Sequence, residues 1–223
     1  NIANSYYGVV LNNSGLWFYN SNIYGLSATP NDPFSSTGIF ANNNSSIRIE
    51  DSYLLNMKNG IIGEGTPLIA YGNTIGEDFN QMRRPVQQGI RLNIDPSDRV
   101  RILNNNRIYA QSNGVFISSD QSTVRSVQIE YNQIELYTPD PQVTNGNAIQ
   151  LEGMQANAAS DSIKVNNNII SLRSGGGGVG LMSTHGAEIQ NNTINFLFSY
   201  EDANTGFGID LRQAGENFVR NNT

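Results

Sequence analysis

The chain has no cysteine, one histidine, one tryptophan and, apart from Lys58 and Lys164, no lysine. Without cysteine there is neither a disulfide framework nor a thiolate metal site, and no compartment is selected. No apolar run approaches the length a bilayer-spanning helix needs, which argues against a membrane partner. Charged residues make up only 14% of the chain and the net charge is −6. A nucleic-acid partner, which calls for a basic stripe that displaces counterions, is therefore not expected. Asn1 is not an initiator methionine and no charged-then-apolar targeting segment follows it.

What is present is uncharged polarity. Amides, hydroxyls and 22 glycines accompany 38% apolar residues, enough to build a core in a chain of 223 residues. Residues 163–170, IKVNNNII, show how the two are mixed: consecutive asparagines, poor helix and strand formers, sit between residues that call for burial. The pattern apolar-x-apolar-x-x-Asn-x-apolar recurs at Leu16-Phe18-Ser21-Ile23, Ile47-Ile49-Ser52-Leu54, Leu68-Ala70-Asn73-Ile75, Val127-Ile129-Asn132-Ile134, Ile163-Val165-Asn168-Ile170 and Ala187-Ile189-Asn192-Ile194. Val100-Ile102-Asn106-Ile108 fits with one extra residue, and Val219-Asn222 is truncated. A second pattern, Gly-apolar-x-apolar, alternates with the first from Gly8-Val9-Leu11 to Gly208-Ile209-Leu211, with Ala148 replacing one glycine and Gly63 replacing the last apolar residue of another.

Period-two alternation means strands, and three short strands per repeat cannot bury their inner faces alone. Stacked as successive coils, each rising about 4.8 Å on the last, they can. Asparagine in one column would then bond through its side-chain amide to the asparagine above and below, and the glycine column would supply freedom for a tight corner. The expected fold is all-β: a single-stranded right-handed parallel β-helix, a solenoid of about eight coils of three short strands with an Asn ladder. It spans 1–223 as one domain and is expected to be a segment of a longer protein.

These G-I-x-L and I-x-I-x-x-N-x-I units resemble the repeat of the pectin-lyase-like superfamily, which includes pectate lyases, polygalacturonases, alginate epimerases and phage tailspikes. The resemblance covers essentially the whole chain. It implies that the Gly-strand face binds polysaccharide, and it is specific for fold rather than reaction. The family's catalytic signatures are not reproduced. Thr184-His185-Gly186 matches a polygalacturonase Gly-His-Gly only in part, and Asp95-Pro96 is followed by Ser97 where alginate epimerases carry histidine.

Insertions beyond the shortest coil are where function concentrates. Long loops at 24–37, 76–88, 135–145 and 195–207 carry Tyr24, Phe34, Phe79, Tyr137 and Tyr200, with Phe196 and Phe198 nearby. A second set at 93–99, 118–126 and 152–162 would wall the Gly-strands of coils four to six into a groove. Continuing the alternation places Asp95 and Asp120 in one column of adjacent coils, with Glu152 in the next coil and Arg91 outward beside them. A carboxylate pair at about 5 Å suits retaining glycoside hydrolysis, a wider pair suits inversion, and neighbouring carboxylates could instead hold Ca²⁺. An outward arginine can grip a sugar carboxylate or, as the resemblance to pectate lyases implies, abstract a proton beside one. The candidate catalytic group is thus Asp95, Asp120, Glu152 and Arg91, with Asn93, Phe116, Gln150, Tyr137, Asp210, Arg212 and His185 as substrate contacts, no protein-built metal site and no cofactor beyond that Ca²⁺.

Each of these has a plainer reading. Asp95-Pro96 starts turns, Asp120 lies in a Ser/Asp/Gln stretch, His185 suits a solvated turn, and Gly175–Gly178 suits a flexible corner rather than a phosphate cradle. Loop aromatics serve as readily as lids over coil ends as they do as sugar platforms. The expected function is a carbohydrate-active domain that binds, and as a hydrolase or lyase would cleave, an extracellular or capsular polysaccharide, placing it outside the cell or on a cell or virion surface. The alternatives are a non-enzymatic shaft or adhesin, such as a tailspike or surface-fibre segment forming a homotrimer, and a pure structural spacer.

Overall fold

A computed structural model describes residues 2–5, 7–25, 36–76, 86–120, 123–124, 126–137, 146–156, 162–173, 176–197 and 206–223. Among these there is no helix, and every strand pairing is parallel. The strands fall into three columns, each pairing a strand with its equivalent in the next repeat. The first column holds the Gly-strands β2 (Tyr7–Asn12), β5 (Thr37–Asn42), β8 (Asn59–Glu64), β11 (Val86–Asn93), the second half of β13 (Arg107–Ser118), β16 (Asn147–Glu152), β19 (Gly176–Met182) and β22 (Gly206–Arg212). The second holds β3 (Gly15–Tyr19), β6 (Ser46–Glu50), β9 (Leu68–Tyr71), β12 (Arg99–Leu103), β14 (Ser126–Glu130), β17 (Ser162–Asn166), β20 (Ala187–Gln190) and β23 (Phe218–Arg220). The third holds β1 (Ile2–Ser5), β4 (Asn22–Gly25), β7 (Tyr53–Leu55), β10 (Thr74–Ile75), the first half of β13, β15 (Gln133–Leu136), β18 (Ile169–Leu172) and β21 (Thr193–Phe196).

Because β13 runs through both the third and the first columns, these form one 15-stranded sheet, and the second column is a separate 8-stranded sheet. The three columns share one apolar cluster, so together they make a nearly closed wall around a continuous core. Pairing in register stacks like on like. Ile49, Ala70, Ile102, Ile129, Val165 and Ile189 succeed one another in the second column, each fully buried. Each such isoleucine contributes about 1.5–3 kcal/mol by leaving water.

The asparagine pattern marks the corner between the second and third columns. Asn73 Nδ2 donates to Asn106 Oδ1 (2.9 Å), Asn106 to Asn132 (2.8 Å), Asn132 to Asn168 (3.1 Å), Asn168 to Asn192 (3.0 Å) and Asn192 to Asn222 (2.9 Å). The same Nδ2 also reaches back to a strand carbonyl, as from Asn168 to Ile129 O at 2.8 Å. Ser21 and Ser52 hold this position in the first two repeats, where the Ser21 N–H donates to Ser52 Oγ at 3.2 Å.

The residue before each ladder position has positive φ: Asn20, Asp51, Gly72, Asn105, Tyr131, Asn167, Asn191 and Asn221. Asparagine tolerates this left-handed conformation better than other side-chain-bearing residues. Runs such as Asn166-Asn167-Asn168 therefore combine two demands, a left-handed residue and a ladder amide, at adjacent positions. The glycine column works differently from the corner freedom expected of it. Its residues have ordinary negative φ, and what they lack is room. A Cβ on Gly60 or Gly89 would lie 2.4 Å from the carbonyl oxygen of the equivalent glycine in the next repeat.

Candidate cleft on the Gly-strand face

The outward residues of the first column form rows in register. One row runs Val10, Phe40, Ile62, Arg91, Phe116, Gln150, Gly180, Asp210. Beside it lie Asn93, Ser118, Glu152, Met182 and Arg212. Eight of the eleven predicted site residues, Arg91, Asn93, Phe116, Gln150, Glu152, Asp210, Arg212 and the adjoining Asp120, are thus on or at the edge of one face.

Each of the predicted carboxylates has its own hydrogen-bonding surroundings. Asp95 opens a β-turn, its carbonyl accepting from the Asp98 N–H at 2.9 Å while its own N–H donates to Asp98 Oδ2 at 2.9 Å. Its Oδ2 lies beside Gly65 of the preceding repeat, at 2.9 Å from where a Cβ there would stand. Asp120, one repeat further on, is exposed and accepts from Asn93 Nδ2 at 3.3 Å. Glu152 accepts from Gln150 Nε2. Among the described residues no three His, Cys, Asp or Glu side chains lie close enough together to hold a metal ion. Arg91 sits over the Phe116 ring, its guanidinium carbon 5.8 Å from the centroid.

Two other predicted contacts lie off this face. Tyr137 follows β15 at the end of the third column, where its N–H donates to Ala110 O at 2.9 Å. His185 belongs to a short bridge beyond β19, paired with Gln155, and its Nδ1 accepts from the Gly215 N–H of the next repeat at 3.1 Å. Phe34, Phe79, Phe198 and Tyr200, with most of the long loops expected to wall the groove, lie outside the described residues.

Among the described residues a concavity lies towards the last three repeats. A cleft of about 200 Å³ is lined by Gly146, Asn147, Gln150, Gly180, Leu181, Met182, Phe207, Asp210 and Arg212. Its shape depends on the glycines of β19, at 176, 177, 178 and 180. Gly176–Gly178, expected at a flexible corner, are buried strand residues. A Cβ on Gly177 would strike the Phe207 ring at 2.2 Å and Asn147 Oδ1 at 2.3 Å, and one on Gly180 would strike Asn147 Nδ2 at 2.2 Å. Asn147 from the repeat before and Phe207 from the repeat after thus lean over a strip of bare backbone.

Polar groups converge at this cleft. Asp210 Oδ2 and Arg212 Nε are paired at 2.6 Å, and Asn147 Nδ2 donates to Gln150 Oε1 at 3.4 Å. The arrangement offers one aromatic face, two amides that both donate and accept, and a carboxylate beside a guanidinium fork. Phe207, Asn147 and Gly177 were not among the expected site residues. The available signal was the position just before each repeat's glycine, which is in register from Tyr7 and Thr37 through Asn59, Gln88 and Asn113, and again from Asn147 through Gly177 to Phe207.

Asp98 also escaped sequence reasoning. It is a buried carboxylate at the base of the 95–98 turn. Burial pushes its carboxyl above the ordinary aspartate range, the bond from the Asp95 N–H pulls it partly back, and the Asp95 charge adds to the rise. Comparisons of the chain with protein-family models, curated proteins and solved structures yield no match.

Proposed function

We propose that this protein is a right-handed, single-stranded parallel β-helix of about eight coils, of the pectin-lyase-like kind, that binds an extracellular or capsular polysaccharide on its Gly-strand face. The observation that carries this reading is the cleft lined by Gly180, with Phe207 and Asn147 packed over Gly177 beside it. An aromatic ring beside a strip of bare backbone accepts the apolar C–H face of a pyranose, and paired hydroxyls match the bidentate groups of Asp210, Arg212, Asn147 and Gln150. Sites of this kind, mostly preformed with a few convergent polar groups, are what small-molecule recognition uses.

The test is a panel of neutral and acidic polysaccharides assayed by affinity electrophoresis and calorimetry, with Phe207→Ala as the reporter. Binding that Phe207→Ala lowers by about tenfold, roughly one lost stacking contact, supports the cleft. Binding indifferent to this change sinks it. Turnover is tested in the same panel by release of oligosaccharides with and without Ca²⁺. Glu152, tied to the cleft through Gln150, is the carboxylate this reading carries forward, so Glu152→Gln should abolish any turnover.

A second reading, a non-enzymatic shaft or surface-fibre segment, is supported by the opposite end of the same face. There Val10, Phe40 and Ile62 follow one another with Tyr7 alongside, its ring 6.0 Å from that of Phe40. Such a stripe suits packing against further copies in a homotrimer. A trimer in solution, with no turnover on any glycan, would favour it.

A further inference from the structure

We propose that the outward face of the second column is a separate binding surface for a linear acidic polysaccharide carrying one acidic group per disaccharide. The inference goes beyond the cleft, which lies on the first column.

The pairing register puts Trp17, Arg48, Ile69, Arg101, Gln128 and Lys164 in a single outward row, which Glu188 and Phe218 continue in the last two repeats. A cation recurs at every second repeat, Arg48, Arg101 and Lys164, with a neutral side chain between. Two repeats separate neighbouring cations by about 9.5 Å along the stack, a distance that two linked pyranose rings span. Arg99 stands on the same side of β12 as Arg101, since Val100 and Ile102 point into the core.

The cations on this face are largely uncommitted, although the chain as a whole carries −6. Arg99, Arg101 and Lys164 have no ion pair among the described residues. Arg48 pairs with Glu50 at 2.6 Å and lies over Trp17, 5.2 Å from the ring centroid, with the arginine exposed and the glutamate half-buried. The other acids on the face are occupied: Glu130 accepts from Asn166 Nδ2 at 3.3 Å, and Glu188 from Gln190, with Arg220 3.8 Å away.

Arg101 is half-buried, with its Nε shut off from solvent and without a hydrogen-bond partner. A guanidinium anchored this way meets a carboxylate or sulfate through its terminal nitrogens. Trp17, 69% exposed at the start of the row, offers a ring on which a sugar can stack. The two-repeat interval matches a disaccharide and not the closer spacing of phosphates on a nucleic acid.

The experiment uses the whole chain with hyaluronan, which has one carboxylate per disaccharide, against neutral dextran and an oligothymidylate. Hyaluronan should bind, more weakly as salt rises, and dextran should not. Arg101→Gln and Lys164→Gln should each weaken hyaluronan binding about tenfold, Lys164→Arg should preserve it, and Tyr53→Ser, at an exposed position of the third column, should leave it unchanged. The proposal is overturned if dextran binds as well as hyaluronan, if oligothymidylate binds more tightly, or if both glutamine variants bind normally. Loss of hyaluronan binding in Phe207→Ala would move the site to the other face and also overturn it. Far-UV circular dichroism, unchanged in each variant, ties the losses to charge.

Discussion

Replacing Asn168 by alanine removes the middle of the amide ladder, and the cost can be worked from its bonds. The side chain donates to Ile129 O at 2.8 Å and to Asn192 Oδ1 at 3.0 Å, and accepts from the Asn132 N–H at 3.0 Å and from Asn132 Nδ2 at 3.1 Å. Two of these partners have cover. Asn192 Oδ1 still receives the Asn168 N–H, and Asn132 Nδ2 still reaches Ile102 O and Glu130 O. Ile129 O remains within the β14–β17 strand pairing, so the Asn132 N–H is the buried group left without a partner. Orphaning it costs about 1–3 kcal/mol, and with the lost amide-to-amide bonds the variant should lose about 2–3 kcal/mol. Asn222→Ala breaks the same kind of bonds at a solvated position, where water replaces them, and should cost about 1 kcal/mol. Asn168→Ser should fall between, because Ser52 performs the acceptor half of the task in the second repeat. Urea denaturation followed by far-UV circular dichroism measures all three. Equal losses for Asn168→Ala and Asn222→Ala, or a loss below 1 kcal/mol for the former, would refute the assignment of the ladder as a structural element.

Tyr131 is the only aromatic residue at a left-handed ladder-flanking position (φ 60°) and is exposed; Tyr131→Asn should therefore stabilise the fold by about 1 kcal/mol, read as a higher melting temperature. Gly89→Ala places a Cβ 2.4 Å from Gly114 O, and denaturation should show it destabilising by about 2–3 kcal/mol. Asp98 has a raised carboxyl pKa because burial disfavours its charge, so the folded state holds this proton more tightly than the unfolded one. Stability is therefore lost as pH climbs from the ordinary aspartate value through the raised one, and is level above it. Asp98→Asn should consequently match or exceed the wild type at pH 7, with the gain vanishing below about pH 4, in melting curves across pH.

The strands were legible because period-two alternation and like-on-like stacking are written residue by residue: Ile163 and Val165 point inward, as do their register partners Val127 and Ile129. The glycine column was legible in position and misread in cause, since alternation cannot say whether a glycine serves its torsion or its neighbour's carbonyl. The left-handed position before the ladder residue is marked by an Asn-Asn pair in four of the eight repeats and by Asn-Ser, Asp-Ser, Gly-Asn or Tyr-Asn in the others, so no single sequence pattern announces it. Asp95 and Asp120 both stand six residues after a glycine, and the two repeats stay bonded up to them, with the Ile94 N–H donating to Ser118 O and Ser119 Oγ to Ile94 O. What alternation could not show is the 95–98 turn, which engages both the N–H and the carbonyl of Asp95. The cleft was hidden for another reason: it depends on absent side chains in one repeat and on residues from the repeats either side, which register alone brings together.

The ladder has one further property, its direction. From Asn73 to Asn222 every amide donates towards the higher-numbered neighbour, so their dipoles add head to tail, as peptide dipoles do along a helix. Each bond polarises the next in surroundings where water cannot screen them. The molecule thus carries a built-in electric axis parallel to its stack, positive towards Asn222 and negative towards Ser52. A carboxylate introduced near Asn222 should titrate below its usual value, and one near Ser52 above it.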